Sequence, residues 1–315
     1  MWKFALRKFL FMILTMVVMS ILVFILVELM PGDTAQIILG MNATPEALEE
    51  LREAMGLDEP LVKRYIHWAG GILRGDMGES LFLKGVSVSS LILRKVKHSL
   101  ILAGTALIFF VPVSIGLGVL AGVNERKWPD SLISTFGLTT MSLPEFVSGV
   151  VLIIAFAVRL RWFPATSNIE IGETIWQNLN ILILPALSIT IVMVGYVSRM
   201  QRASMVTVMN SDYIRAARLK GLPRPYVIRH HAIRNALLPS ITIIGMNMGW
   251  LVGGLVVVES LFAYPGIGLL FITAIKTRDV PLIEACMLTV TFIYVLSSFI
   301  TDMLYALLNP RIRYK

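Results

Sequence analysis

The sequence predicts an all-α membrane protein in which six helices cross the bilayer. Three observations predict this class: the composition, the length of the apolar runs and the placement of the charges. Of the 315 residues, 56% are hydrophobic and only 15% are charged, which is far from the composition of a soluble domain. Six apolar runs are each long enough to cross the ~30 Å hydrocarbon layer as a helix. They are 9–27, 99–123, 131–158, 174–198, 235–258 and 285–301, and only 131–158 contains a charged residue, Glu145.

Basic residues are concentrated on one side of the predicted bilayer. If both chain ends lie in the cytoplasm, the inner segments carry sixteen Lys or Arg residues and three acidic residues, whereas the outer segments carry twelve of each. An excess of Lys and Arg is typical of cytoplasmic loops. We therefore expect both termini in the cytoplasm, because a seventh span would place Arg311, Arg313 and Lys315 outside.

The first third of the chain is expected to hold one span and one insert. Residues 1–30 form a retained N-terminal transmembrane helix, because no small-x-small cleavage site follows the apolar run. Residues 31–98 form an extracytoplasmic helical insert. Thr44 and Pro45 suit the start of a helix there and Gly56 its end, and a second helix is expected over 61–73. A cap that shields helix ends is favoured over a substrate-recognition role.

Residues 99–315 are expected to form a five-helix transmembrane core. The apolar run 260–275 is short for a span and is interrupted by Tyr264-Pro265-Gly266, so 260–283 is predicted to be re-entrant. The fifth span has glycines at four-residue spacing, which lets another backbone approach closely. These helix-packing candidates are Gly245, Gly249 and Gly253. The approaching helix could belong to this chain or to another subunit.

Acidic residues within the apolar layer are candidates for function, because an unpaired carboxylate is costly there. Four of them lie near span ends, where snorkelling or helix capping is the preferred interpretation: Glu28, Glu259, Glu284 and Asp302. Glu145 follows Pro144 near the middle of the third span, so it either lines a watery passage or forms an internal polar lock. The candidates for the translocation pathway or its gate are Glu145, Asn247, Trp250 and Glu259.

The sequence argues against several kinds of chemistry. It has no Gly-x4-Gly-Lys-Ser/Thr phosphate loop, so the chain cannot be its own ATPase. The spans present no Ser/Lys, Asp/Asp or His-Glu-x-x-His arrangement of an intramembrane enzyme. With a single cysteine, Cys286, and two adjacent histidines that point in different directions on a helix, no metal site or bound cofactor is predicted. A gradient-driven carrier or channel that uses Glu145 or Glu259 is the alternative to a transporter powered by other subunits.

A basic, helix-forming loop, residues 199–238, separates the fourth and fifth spans. It carries eight Lys or Arg residues and one acidic residue, which places it in the cytoplasm. Ala216 and Ala217 allow a helix to lie close to another surface, and Gly221 permits the sharp turn that follows. The arginines can donate hydrogen bonds to a partner's acids or carbonyls. A helix resting on anionic lipid would explain the charge but not the small residues.

The same loop resembles a known family of transport subunits. Tyr213-Ile-Arg-Ala-Ala-Arg-Leu-Lys-Gly221 resembles the "EAA" loop of permease subunits in binding-protein-dependent ABC importers. The longer string, with Asp212 before it and Arg229-His-His-Ala-Ile-Arg-Asn-Ala-Leu-Leu-Pro239 after it, resembles the dipeptide and oligopeptide branch, which includes nickel permeases. Further matches at Met30-Pro-Gly-Asp33, Leu57-Asp-Glu-Pro-Leu61, Gly75-Asp-Met-Gly78 and Glu259-Ser-Leu-Phe-Ala-Tyr-Pro-Gly-Ile-Gly268 extend the resemblance over nearly the whole chain.

Two positions depart from the general pattern of the family. Arg215 stands where the motif has Glu, and Arg234 stands where the wider superfamily often has the closing Pro, with Pro239 five residues later. Both variations fit the peptide branch.

The resemblance implies a type I ABC importer permease fold and a set of partners. These are a second homologous permease subunit, two cytoplasmic ATPase subunits that hold ATP and Mg, and an extracytoplasmic solute-binding protein. The implied location is a prokaryotic cell membrane, the inner membrane in a Gram-negative cell, in contact with lipid and with no nucleic acid. The residues implied to couple to the ATPases are Asp212, Tyr213, Arg215, Ala216, Ala217, Arg218, Lys220 and Gly221. Members of the branch transport di- and oligopeptides, nickel complexes or oligosaccharides, and the sequence does not choose among them.

Overall fold

The computed structural model describes residues 2–29, 39, 44–54, 56, 58–168 and 178–308. Within these ranges the regular structure is helical, apart from an isolated antiparallel bridge between Glu79 and Ser87. The helices are α1 (Trp2–Glu28), α2 (Pro45–Ala54), α3 (Leu61–Leu73), α4 (Val88–Val123), α5 (Trp128–Ser142), α6 (Glu145–Leu152), α7 (Asn180–Met209), α8 (Asp212–Leu219), α9 (Ile233–Leu261), α10 (Ile267–Thr277) and α11 (Val280–Leu308). A π-helical segment, Ile153–Arg159, continues α6, and another, Val227–Ala232, follows the helical turn Arg224–Tyr226 and leads into α9.

Several helices have the length and composition of membrane spans. Among the described residues, α1, α4, α7 and α11 are each long and apolar enough to cross a membrane, and α5 with α6 provides a fifth if the bent pair counts as one span. Helix α9 has 29 residues and covers the predicted run 235–258. The prediction of an all-helical protein with several membrane-length helices is confirmed. The count of six spans and the side of the termini stay predictions.

The third predicted span differs from a continuous helix. Helix α5 ends at Ser142, α6 begins at Glu145, and the two are bent by 106°. Proline disfavours the helical conformation in the residue before it, and Leu143 is accordingly extended, with φ −91° and ψ 130°. Glu145 therefore lies in the first turn of a new helix, whereas the unbroken apolar run placed it within one continuous span.

Helix α7 lies at the centre of the bundle, where it packs against α4, α5, α6 and α9. It packs tightly against α4. A Cβ atom on Gly118 would lie 2.5 Å from the Cβ of Gln201 and 2.6 Å from the carbonyl oxygen of Ser198, so a larger residue does not fit there. The main apolar core combines α4, α7 and α9, with Phe110 and Met193 among its fully buried side chains.

The described part of the insert contains the two expected helices. Thr44 caps α2, because its Oγ1 accepts a hydrogen bond from the backbone N–H of Ala47 at 3.3 Å. Segment 75–88 is held against the start of α11 by Asp279. Its carboxylate accepts hydrogen bonds from Ser80 Oγ at 2.5 Å and from the N–H of Phe82 at 3.2 Å. The string at 30–33 and Leu57 lie outside the described residues.

Helix α10 lies between α9 and α11. Its 11 residues span about 16 Å, roughly half of the hydrocarbon layer. This length suits a re-entrant or interfacial segment, and the depth of residues 260–283 in the bilayer stays a prediction.

Candidate coupling surface and polar residues of the bundle

Helix α8 is the short helix of the basic loop, and local signals set both of its ends. The hydroxyl of Ser211 accepts a hydrogen bond from the N–H of Ile214 at 3.5 Å, Asp212 stands in the first turn and Arg218 in the last. These positions place negative charge at the start and positive charge at the end of the helix, which favours it. Gly221 then reverses the chain with a φ of +76°, a conformation that favours glycine.

One face of α8 is anchored to the rest of the chain. Ile214 is fully buried and Ala217 is nearly so, and both belong to an apolar cluster with Met205 at the end of α7. Val227 and Ala232, in the π-helical segment before α9, complete the contact. The helix is therefore fixed to the ends of two long helices by packing rather than by the loop alone.

The opposite face of α8 is exposed in the described chain. The exposed residues of this stretch are Asp212, Tyr213, Arg215, Ala216, Arg218, Leu219, Lys220 and Gly221. At about 100° per residue, Leu219 and Asp212 point directly away from the buried pair. Leu219 is 83% exposed, which makes it the apolar centre of a polar surface, a feature that the family motif did not single out. We name the exposed residues of 212–221 the coupling surface.

The two adjacent alanines have different environments. Ala217 packs inside the chain, whereas Ala216 lies on the coupling surface. The small residue available for close approach by another subunit is therefore Ala216, while Ala217 allows α8 to lie close to its own bundle.

Aromatic and histidine side chains brace the coupling surface from the side. The hydroxyl of Tyr213 lies 2.5 Å from Nδ1 of His231, and the ring of Tyr226 stacks on His230 with the centroids 4.3 Å apart. In the sequence, the adjacent histidines indicated only that a metal site is not expected. The contact between His231 and Tyr213 joins residues 18 positions apart, and no short motif indicates it.

An ion pair links α5 to α7 near the same surface. The guanidinium of Arg202 donates from both Nε and Nη2 to the carboxylate of Asp130, with an Nη2 to Oδ2 distance of 2.7 Å. The N–H of Arg126 donates to the same carboxylate at 2.9 Å. Asp130 is buried, so this bidentate pair fixes the short connection between α4 and α5 against α7.

Glu145 and Asn247, two of the pathway candidates, have different surroundings. Glu145 is half-buried, and its carboxylate lies against α9, where a Cβ on Gly254 would come within 2.7 Å of Oε2. Asn247 donates from Nδ2 to the carbonyl of Ile243 in its own helix at 2.8 Å. The side chain of Trp250 lies outside the described residues.

Glu259 is completely buried in the last turn of α9, before the segment that leads to α10. Its carboxylate accepts hydrogen bonds from Ser99 Oγ at 2.5 Å and from the N–H of Gly268 at 2.7 Å. Ser99 in turn accepts from the N–H of Ile267 at 2.9 Å, and Gly266 leaves no space for a side chain beside the carboxylate. The geometry is that of a cap on the N-terminus of α10.

The glycines of the fifth span do not share one environment. Gly245 packs on Thr301 of α11, whose Oγ1 donates to the Gly245 carbonyl at 2.9 Å. Gly253 is exposed with no atom of the described chain within 4 Å of an added Cβ, and Gly254 receives Glu145. The surroundings of Gly249 lie outside the described residues. The four-residue spacing therefore combines a contact within the chain with an open position.

Comparison with known proteins identifies the family. A family described as "Binding-protein-dependent transport system inner membrane component" matches residues 114–314, and its N-terminal counterpart, "Binding-prot-dependent transport system membrane comp, N-term", matches residues 1–83. The chain is 36% identical over 311 residues to a probable peptide ABC transporter permease protein of Sinorhizobium fredii, covering 99% of each chain. It is 35% identical over 315 residues to the glutathione transport system permease protein GsiC of Escherichia coli, covering 100% of each.

The chain belongs to the binding-protein-dependent transport permease family. The permease is therefore a subunit of an ABC importer and is not itself an enzyme, as the resemblance implied. Subunits of this family do not themselves bind cofactors. The family is described as an inner membrane component, in agreement with the apolar helices of the permease. The alternative of a gradient-driven carrier or channel is not supported.

The longer family match contains the whole coupling surface of the permease, residues 212–221. It also contains Glu145, Asn247 and Glu259. The roles of these individual residues stay predictions.

Proposed function

We propose that the permease crosses the membrane six times, with both termini in the cytoplasm, in a type I ABC importer permease arrangement. The spans are α1, α4, the bent pair of α5 and α6, α7, α9 and α11, and α10 enters the outer half of the bilayer without crossing it. The charge distribution supports this orientation, because it places α8 and its basic neighbours inside the cell.

The coupling surface docks on a cytoplasmic ATPase subunit. One observation carries this proposal: α8 buries Ile214 and Ala217 against its own bundle and presents Leu219 outward among charged residues. An apolar centre within a polar rim is the usual anatomy of a protein interface. A helix fixed on one face and open on the other transmits a push from its partner to the long helices on which it is packed.

The complete importer contains two such ATPases, which hold ATP and Mg, and a second homologous permease that lines the pathway together with this one. An extracytoplasmic solute-binding protein delivers the substrate. Closure of the ATPases on ATP moves α8 and turns the helical bundles from an inward-facing to an outward-facing state. The relatives named for peptide and for glutathione transport support a peptide or a similar small solute as the substrate.

Within the bundle, we assign different roles to the pathway candidates. Glu145 lines the pathway at the bend between α5 and α6, because it is half-buried and its carboxylate lies beside Gly254 of α9. Glu259 acts at the outer gate indirectly, by holding α10 in place. Asn247 and Trp250 on α9 remain pathway candidates.

Leu219→Asp tests the docking role. The matched control, Leu219→Met, preserves an exposed apolar side chain. In membranes that contain the permease with its partner subunits, we expect Leu219→Asp to lose both ATPase retention during purification and solute uptake, while Leu219→Met keeps both. If Leu219→Asp retains the ATPase and transports normally, the coupling surface is not the docking site.

Uptake of labelled solutes by the reconstituted importer tests the substrate class separately. We expect competition by short peptides. Competition by a nickel complex or an oligosaccharide, with no effect of peptides, would contradict the substrate proposal and leave the coupling proposal untouched.

A further inference from the structure

Helix α3 of the insert packs against the side of α1 rather than over its end. The hydroxyl of Tyr65 lies 2.8 Å from Ser20 Oγ, and the rings of Tyr65 and Trp68 each lie 5.5 Å from the ring of Phe24, centroid to centroid. Ser20 is eight residues before the end of α1 at Glu28, which is about 12 Å along the helix. Both Ser20 and Phe24 belong to the charge-free run 9–27. The contact therefore lies at the depth of the apolar part of α1.

A charged pair marks the outer limit of this contact. Arg64 Nη1 donates to Glu28 Oε1 at 2.7 Å, at the last residue of α1. This arrangement is typical of the boundary between the hydrocarbon layer and the headgroups. Apolar side chains pack on the hydrocarbon side, and long basic side chains reach towards water on the other.

The face of α3 that points away from α1 is apolar, and in the described part of the chain its larger side chains are exposed. Val62, Ile66 and Leu73 are 71%, 65% and 88% exposed. At about 100° per residue these three lie within a narrow stripe, and Arg64 and Trp68, which serve the contact with α1, lie on the opposite side. Because α3 is attached to the side of α1, this stripe points sideways at the same depth.

Other faces of α1 are also apolar and exposed at this depth. Leu22, Ile25 and Leu26, on the same turns of α1 that contact α3, are each between 45% and 56% exposed. In a membrane helix such side chains face lipid or another membrane helix. The flanking Lys63 and the aromatic pair beneath the stripe suit a helix that lies in the headgroup region.

We propose that α3 is an interfacial helix that inserts Val62, Ile66 and Leu73 among the acyl chains of the outer leaflet. The occupant of this face is phospholipid. A membrane-embedded helix thus replaces the expected extracytoplasmic cap. The proposal rests on the proposed arrangement, because it requires that α1 crosses the membrane with Glu28 at its outer end.

Depth-dependent fluorescence quenching tests the proposal in the complete importer, reconstituted in phospholipid bilayers. The permease first carries Cys286→Ser, which removes the one native thiol of this chain. This background must retain uptake. A polarity-sensitive fluorophore is then attached to Ile66→Cys, to Leu22→Cys on α1, or to Glu49→Cys on the exposed, polar helix α2. The quenchers are phospholipids brominated on the acyl chain and, separately, aqueous iodide.

We expect the label at position 66 to lose fluorescence to the brominated lipid as the label at position 22 does, and to resist iodide. The label at position 49 should show the reverse. Quenching of position 66 by iodide alone would place the stripe in water, and protection from both quenchers would place it against another protein; either result overturns the proposal. If iodide quenches the label at position 22 and brominated lipid does not, α1 does not cross the membrane and the spanning arrangement itself is wrong.

Discussion

Gly221 gives the sharpest test of the coupling turn, because the structure separates backbone conformation from steric space at this position. Its φ is +76°, and an added Cβ would meet no atom within 4 Å. A Gly221→Val substitution is therefore disfavoured by its backbone conformation and not by a collision within the described chain. The left-handed conformation costs a non-glycine residue about 1–2 kcal/mol. That cost reduces the population of the native turn relative to other conformations about 5- to 30-fold.

Gly221→Asn is the matched control, because asparagine adopts the left-handed region far more readily than other non-glycine residues. We expect Gly221→Val to lower solute uptake by the reconstituted importer strongly and to leave ATP hydrolysis partly uncoupled from transport. Gly221→Asn should stay close to the unmodified permease. Both variants should reach the membrane in normal amounts, measured by quantitative immunoblotting, since the turn lies outside the bundle core.

Two results would refute this reasoning in different ways. Normal uptake by Gly221→Val would show that the turn does not transmit motion. Equal loss in both variants would show that glycine is needed for close approach of an ATPase surface and that the φ angle is not the cause.

Three further predictions concern the buried contacts. Ile214→Ala should destabilise the packing of α8 by about 2–5 kcal/mol. We expect uptake to fall by a larger factor than the amount of permease in the membrane. Unchanged uptake together with unchanged thermal stability of the solubilised importer would contradict this prediction. Glu259→Gln should lower the free energy of unfolding by about 1–3 kcal/mol. The amide N–H₂ of glutamine cannot accept one of the two hydrogen bonds that the carboxylate accepts from Ser99 and Gly268. The loss is measured as a lower midpoint of thermal unfolding. Asp130→Asn should weaken the charge-assisted hydrogen bonds between this side chain and Arg202 by about 1.5–3 kcal/mol. A midpoint of thermal unfolding within error of that of the unmodified protein would show that the pair contributes nothing to stability.

Much of the fold follows from local sequence signals. Apolar runs of membrane length become helices because a backbone in hydrocarbon must satisfy its own hydrogen bonds. Helix α3 has the bounds 61–73 that were expected from the sequence. Thr44 caps α2, and Gly221 adopts the positive φ that its place after α8 predicted.

Other features depend on contacts that a single sequence does not encode locally. Pro144 is compatible with a mild kink or a sharp bend, and the choice of a 106° bend depends on how α6 packs against α7 and α9. The division of Ala216 and Ala217 between an outer and an inner face depends on the rotation of α8 about its axis, which Ile214 fixes by burial. For the same reason Leu219 was absent from the predicted coupling residues.

Under the proposed coupling role, the connections of α8 would carry a push from an ATPase to a large part of the bundle. Its anchor joins the end of α7 to the segment that leads into α9, so displacement of α8 acts on both long helices at once. On one side α7 is locked to α4, because Gly118 leaves no gap beside Gln201, and close-packed surfaces move together more readily than they deform. On the other side Arg202 ties α7 to α5 through Asp130. These contacts favour rotation of α4, α5 and α7 as one body, and under the proposed role of Glu145 the pathway would change shape at the bend before it.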